Sequence, residues 1–459
     1  MGLLRGSICA LCAVIILWSG SVKGEDPEYI SVDIATTQAI KNSTTMAGLI
    51  GRAKVSEKLI FEKWRTFLPD LAIRYQKDDT VIYRSDDYRN QSATIDFGYD
   101  LNTNGKSVLE YKISGLDKVI AMSEIVIERN NIILQVRSKY YELLRLKDEI
   151  EVNKKLRDSL KLNKKFGEEE KRLGFSTKLA LTQIEAKLSE SEYSVKKSEN
   201  DYYNKLKDFK AYIGFEFKSE LKSIDDFEFN DEMVPQKKDE ELLSIALKNR
   251  LELKKSELTL LKTKYNMKLA KFYYLPKFRL EGSVGTTGPT FPPNNFTWNI
   301  GVKVDTSIFG SGLSAKQTVG ESDGGYTRNA GTQARLGILD DVSVLSRITS
   351  TEAAYSESEN SHRMLINSIK LEVIRSYKNF FETKERLKIA KENAALYEEQ
   401  LKIESEKVRL GETTMKDYLD ATVELSKANL RVLAAKCELK ISAAAYENNI
   451  GIINFNGGK

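Results

Sequence analysis

Cysteine, histidine, proline and long apolar runs are all scarce in this chain, and each scarcity removes a class of explanation. The 459 residues hold 3 Cys. Cys9 and Cys12 lie inside the early apolar run Ile8 to Trp18, which leaves Cys437 alone on an expected helix. One cysteine forms no internal disulfide, and no Cys/His cluster has metal-ligand spacing. His362 is the single histidine and sits in a polar stretch, so no Ser/His/Asp or Cys/His centre can be built around it. Glycine-rich phosphate and dinucleotide loops are missing as well. An enzyme is therefore not expected, and the catalytic, cofactor and metal residues are none. With 71 basic and 66 acidic residues interspersed, the net charge of +5 forms no basic footprint, which argues against nucleic acid. Beyond residue 24 no stretch approaches the twenty apolar residues a spanning helix needs, so any membrane contact must come from strands.

What is present begins with a secretory signature. Arg5, the apolar run, and the small residues Ser19, Gly20, Ser21 and Gly24 read as a signal peptide over 1–24. The rest of the chain repeats itself. Leu134, Val136, Tyr140, Arg172, Leu173, Gly174, Thr177, Ile213 and Gly214 return as Leu371, Val373, Tyr377, Arg409, Leu410, Gly411, Thr414, Ile450 and Gly451, each 237 positions on (371 − 134 = 237). An earlier register, Ala39, Asn42, Leu68 and Pro69 against Ala246, Asn249, Leu275 and Pro276, is offset by 207 (246 − 39 = 207). The second copy thus carries about thirty extra residues, near 313–345, between its strands and its long helix. Units this long are halves of one pseudo-symmetric architecture, since solenoid repeats are short and numerous. The expected division is a first repeat over 25–214, a connector over 215–239, a second repeat over 240–451 and a tail over 452–459.

Within each repeat the period of the apolar residues changes. Short helical segments, Ala35 to Trp64 and Glu240 to Phe272, end at the Leu-Pro steps. Strict alternation follows: Leu71, Ile73 and Tyr75; Ile95, Phe97, Tyr99 and Leu101; Phe278, Leu280 and Val284; Trp298, Ile300, Val302 and Val304. Period two predicts four strands, either a soluble sheet with one wet face or a barrel with lipid outside and charge inside. Trp64, Tyr273, Tyr274 and Trp298 near the strand ends resemble an interfacial aromatic belt. Long helices are then expected from about Ser107 to Arg172 and Leu345 to Arg409, each about 100 Å long at 1.5 Å per residue. Ile366, Val373, Phe380, Leu387, Ala394, Leu401 and Val408 keep a seven-residue stride. The returning helices keep it too, with a uniformly small row at Ala421, Ala428, Ala435 and Ser442 that permits close helix approach.

The candidate site residues surround the two turns. Arg172, Leu173, Gly174, Ser176 and Thr177 form one tip, and Arg409, Leu410, Gly411, Thr413 and Thr414 the other. Glycine supplies the left-handed C-cap and threonine caps the next helix. Asp417 and Asp420, three apart, share a helix face just past the second tip. They read either as solvated surface or, if copies gather about an axis, as a ring of negative charge that raises some aspartate pKa values.

These motifs resemble the TolC family of outer-membrane efflux and secretion channels. The stretch Ala246 to Leu253 resembles the family's Ala-Leu-x-x-Arg-Pro-Glu-Leu step, with Leu251 at the usual proline. Leu275-Pro276 before a strand, Ser307 to Gly312, and Arg-Leu-Gly followed by Asp417 to Ala421 fit as well. The resemblance implies a mainly α fold in which two coiled-coil hairpins and four transmembrane strands per chain close as a homotrimer, an α-barrel continuous with a β-barrel. It implies an outer-membrane location with the helices in the periplasm, and passive conduction in a tripartite efflux pump or type I secretion system. Its tips would dock a periplasmic adaptor protein and an inner-membrane pump of RND or ABC type, and Asp417 and Asp420 would form the entrance constriction. Where the family carries a basic latch residue this chain has Thr413, and Ala180 replaces the acidic partner, so closure must rest on other contacts. The extra segment is expected either as a loop over Gly320 to Asp341 below the barrel or as a return strand at Ala334 to Ile338 beneath an external loop. A periplasmic coiled-coil adaptor and a purely structural coiled coil are the alternatives, and neither accounts for two hairpins in series with alternating strands.

Overall fold

The computed structural model describes residues 29–80, 88–101, 105–174, 177–214, 220–221, 239–308, 310–322, 325, 327–340 and 342–452. The expected signal segment, most of the connector, Ser176 and the last seven residues fall outside these. Among the described residues, no helix is long and apolar enough to cross a membrane.

Each half pairs one very long helix with shorter helices laid end to end beside it. In the first half, α1 (Val32–Asn42) and α2 (Thr44–Arg65) precede α3 (Lys106–Arg172), and α4 (Lys178–Ile213) returns along it. In the second, α5 (Asp239–Asn249) and α6 (Leu251–Lys271) precede α7 (Ser343–Leu410), and α8 (Met415–Ile450) returns. The expected single helices before the strands are each broken once. Ser43 is extended, and its hydroxyl accepts from the Met46 N–H at 3.2 Å, capping α2 as α1 ends. Arg250, also extended, makes the equivalent break.

These breaks sit where the helical stacks meet. The Asn42 side-chain amide donates to the carbonyls of Ile213 (3.1 Å) and Gly214 (2.9 Å), closing the end of α4 onto the end of α1. In the second half Arg250, only 8% exposed, donates to the Asn449 carbonyl at 3.2 Å and pairs with Glu252 (3.1 Å) and Glu372 (3.2 Å). Gly214 and Gly451 both adopt left-handed φ, +62° and +80°, at these C-caps. Repeat partners bury equivalent positions: Val136, Phe209 and Ile213 in one core, Val373, Tyr446 and Ile450 in the other. The small row Ala421, Ala428, Ala435 and Ser442 is buried throughout, and Ser442 meets Thr383 of α7 at 2.7 Å.

Two short strands, β1 (Tyr29–Ile30) and β4 (Glu220–Leu221), pair in parallel. The main sheet is antiparallel, in the order β2 (Asp70–Thr80), β3 (Tyr88–Leu101), β5 (Lys277–Gly288), β6 (Asn295–Ile308), β7 (Ser311–Ser322), β8 (Thr327–Leu336). The four expected strands are present, and two more extend them. This corrects the expectation of four strands and of a loop over Gly320 to Asp341: the extra segment forms a complete hairpin hydrogen-bonded to β6 along its length, with Ala334 to Leu336 in its return strand but no long external loop before it. The hairpin's base is tied by the Gly337 N–H to the Gly312 carbonyl (2.8 Å) and by the Gly312 N–H to the Asp340 carboxylate (2.8 Å).

Candidate channel wall and entrance

Register assigns the two faces of the sheet. Leu71 pairs with Phe97, Phe97 with Gly282 and Gly282 with Ile300, so the alternating apolar residues of β2, β3, β5 and β6 stand on one face. That face is bare: Ile73 is 87% exposed, and Tyr75, Ile95, Val284 and Val302 are exposed beside it. The Phe97 ring lies over Gly282, where an added Cβ would fall 2.7 Å from it. The opposite face carries charge. Arg74 pairs with Asp96 at 2.9 Å, Arg279 with Asp100 at 2.9 Å, Lys303 with Asp305 at 3.0 Å, and Lys316 of β7 with Glu281 of β5. A sheet with large apolar side chains on one face and ion pairs on the other is suited to lipid outside and water inside.

At the far end of the helices the two tips differ in detail. At the first, Leu173 continues the helical turn with its N–H on the Glu169 carbonyl (2.9 Å), and Gly174 takes φ +82°. Thr177 then caps α4, its hydroxyl accepting from the Ala180 N–H at 3.2 Å. At the second, Gly411 is the left-handed cap at φ +75°, and the Glu412 N–H reaches back to the Lys407 carbonyl at 2.9 Å. Among the described residues, Arg172 and Arg409 form ion pairs only with the glutamates three residues before them, Glu169 (2.8 Å) and Glu406 (2.7 Å). Leu173 and Leu410 are exposed, so each tip presents a leucine ringed by charge.

The two candidate acids do not act as a matched pair within the chain. Asp417 turns back to the tip: its Oδ2 accepts from the hydroxyls of Thr414 (2.6 Å) and Thr413 (3.0 Å) and from the Thr414 N–H (3.3 Å). The Thr414 hydroxyl, then Thr413 and the Thr414 N–H, hold its pKa below the usual aspartate value. Within the single chain capping bonds thus stabilise the carboxylate, whereas the expected upward shift concerns copies gathered about an axis. Asp420 reaches instead across to Lys187 of α4, joining the two hairpins. Directly beneath, Leu419 packs on Leu160, Ile184 and Leu188, with Leu156 and Met415 at the rim. Lys187 was not a sequence candidate. It lies 233 positions from Asp420 in no repeat motif, and only the packing of α4 on α8 brings them together.

No curated protein sequence matches the chain. Residues 242–451 match the family described as outer membrane efflux protein. Solved structures share the fold over nearly the whole length. The CmeC outer-membrane channel of Campylobacter jejuni is 15% identical with a TM-score of 0.75, over 93% of this chain and 86% of that one. VceC of Vibrio cholerae is 15% identical with a TM-score of 0.72, over 92% and 96%. MtrE of Neisseria gonorrhoeae, in its open state, is 13% identical with a TM-score of 0.74, over 92% and 89%. The matched region takes in α5 to α8 and the strands between them, and the first half repeats its element order. Over residues 242–451 the chain thus matches the outer membrane efflux protein family, and over both repeats it shares the fold of solved outer-membrane channels.

Proposed function

We propose that three copies of this protein form the outer-membrane exit duct of a tripartite efflux pump or type I secretion system. The observation that carries this reading is the join, in one chain, of a sheet dry outside and charged inside to helical hairpins about 100 Å long. The sheet stands in outer-membrane lipid and the helices cross the periplasm. Conduction is passive and involves no catalytic step.

Trimer formation is supported by apolar surface the single chain leaves bare. On α7, Ile389, Leu396, Ile403 and Leu410 are exposed at a stride of seven, and Leu162, Phe166 and Leu173 are exposed on α3. A sustained seven-residue stripe is a coiled-coil seam awaiting a helix, and neighbouring copies supply it. The tips, Arg172 to Thr177 and Arg409 to Thr414, then form a ring of six that meets a periplasmic adaptor and, through it, an inner-membrane pump of RND or ABC type. Asp417 and Asp420 line the entrance constriction. In place of the latch the sequence lacks, Lys187–Asp420 and the leucine cluster below it hold α8 against the first hairpin in the closed state.

Two measurements test the reading. The protein should extract from outer membranes as a trimer whose migration changes on heating, and a monomer with full strand content would refute it. Cysteines at Ser176 or Glu412 should crosslink to an adaptor hairpin in cells, whereas a mid-helix control at Lys155 should not. The reverse pattern would remove the tips as the docking surface.

A further inference from the structure

We infer that the trimer closes an eighteen-stranded barrel, six strands from each copy, in which β8 of one copy pairs with β2 of the next. This rests on the trimer proposed above and concerns the edges along which its copies join. The sheet has two open edges, β2 and β8, and every residue of β2 is exposed. In hydrocarbon an open edge leaves backbone N–H and C=O groups with no partner, so it must be paired.

Closure within one chain is excluded by size. At strand spacings near 4.8 Å and tilts near 40°, six strands would enclose a radius of only about 6 Å, too little for the inward arginines, lysines and carboxylates. A second copy fits the edges. The two strands match in length, 11 and 10 residues, which spans a bilayer when tilted. They are antiparallel in sense, because four strands lie between them in an all-antiparallel order. Outward positions continue the lipid face: Ala334 and Leu336 lie at the helix-side end of β8, as Leu71 and Ile73 do on β2. Inward positions are complementary at the base. Arg335 makes no ion pair among the described residues, and Asp70 on the facing edge is held only loosely, 3.4 Å from Arg279 and 3.5 Å from Arg65.

The decisive point is the far edge of β6. In a twelve-stranded barrel built from β2, β3, β5 and β6, that edge would bond β2 of the neighbouring copy. Here it is taken, from Trp298 to Ile308, by β7. The two arrangements are mutually exclusive. Midway along the extra hairpin's outer face the polar pair Gln317 and Thr332 hydrogen-bond each other, and the charged pair on that face, Glu321 and Arg328, lies at the end away from the helices. At the same spacing and tilt, eighteen strands give a backbone radius of about 18 Å against about 12 Å for twelve. The outer-membrane segment would therefore be half as wide again, and the helical entrance, not the barrel, would set the size limit on cargo.

The test is cross-chain disulfide formation in the full-length trimer in outer membranes, with Cys437→Ser as background. Ile73→Cys is combined in turn with Thr332→Cys, Ala334→Cys or Leu336→Cys on β8, and with Ile300→Cys, Val302→Cys or Val304→Cys on β6. The expected result is an oxidation ladder up to trimer from at least one β8 combination and none from β6. A ladder from β6, or a trimer that links from neither set, overturns the eighteen-stranded barrel while leaving the duct intact. A protein that never forms a trimer overturns the duct itself. A second measurement needs no chain-to-chain bond: bimane on Val319→Cys, mid-height on the outer face of β7, should be quenched by brominated lipid. Unquenched fluorescence would place the hairpin outside the membrane and also overturn the proposal.

Discussion

The Lys187–Asp420 contact makes a prediction with two readouts that move apart. Lys187 is 24% and Asp420 52% exposed, so each pair contributes about 0.5–1 kcal/mol, the upper part of the range for solvated ion pairs. Three copies acting together contribute about 1.5–3 kcal/mol to closure, a change of roughly 10- to 150-fold in the ratio of open to closed channels. Lys187→Met and Asp420→Asn should therefore raise open probability in planar bilayers to a similar degree. Their effects on ion selectivity should be opposite. Losing Lys187 leaves three unbalanced carboxylates at the entrance, which strengthens cation preference and block by divalent cations applied from the helical side. Losing Asp420 leaves three ammonium groups and weakens both. Exchanging the charges, Lys187→Asp with Asp420→Lys, should restore closure. If both single variants shift selectivity in one direction, or open probability stays fixed in both, the pair is neither latch nor entrance charge.

Three further outcomes are expected. The Asp417 carboxylate has a lowered pKa, so its cap is present above the ordinary aspartate range and lost as pH falls through the lowered value; proteolysis at the second tip should stay slow through mild acid, and Asp417→Ala should be clipped already at neutral pH. Removing the Arg250 side chain should cost about 1–3 kcal/mol by leaving the Asn449 carbonyl and two glutamates without their donor, read as a lower melting temperature of the helical part. Gly451→Ala should destabilise more than Gly411→Ala: both need positive φ, about 1–2 kcal/mol for a side chain, but at Gly451 the new Cβ also meets the Asn249 backbone at 3.1 Å, whereas at Gly411 it meets nothing. Equal melting shifts would show that the helix joint at Gly451 is looser than it looks.

How much of this was legible beforehand depended on the strength of each period. The seven-residue rows of α7 and α8 and the strands around Ile73, Ile95 and Val302 pair large apolar residues with polar ones, so their boundaries came within a few residues of the observed elements. The hairpin β7–β8 escaped because its outer face is built from Leu313, Ala315, Gln317, Val319 and Glu321 on one strand and Arg328, Ala330, Thr332, Ala334 and Leu336 on the other. Alanine, threonine and glutamine alternate only faintly with serine, glycine and lysine, and period two disappears from the sequence. The tips were found through the repeated Arg-Leu-Gly. Their chemistry was not, since Asp417 and Asp420 look equivalent in sequence. One lies within reach of the threonines that begin its own helix, and the other faces a lysine on a different hairpin.

The arms of the two hairpins are nearly equal: 67 and 68 residues descend, and 36 and 36 return. Each added residue would lower one tip by about 1.5 Å and swing its apolar row about 100° around the helix. A lone insertion in one arm would therefore leave that tip out of level and turn its seam away from its partner. Lengthening the duct to match a deeper periplasm demands whole heptads, placed in descending and returning arms of both halves together. Descendants of such a chain are confined to a few discrete lengths, and a lineage that changes one arm must pass through a misfitted ancestor unless gene duplication changes both halves at once.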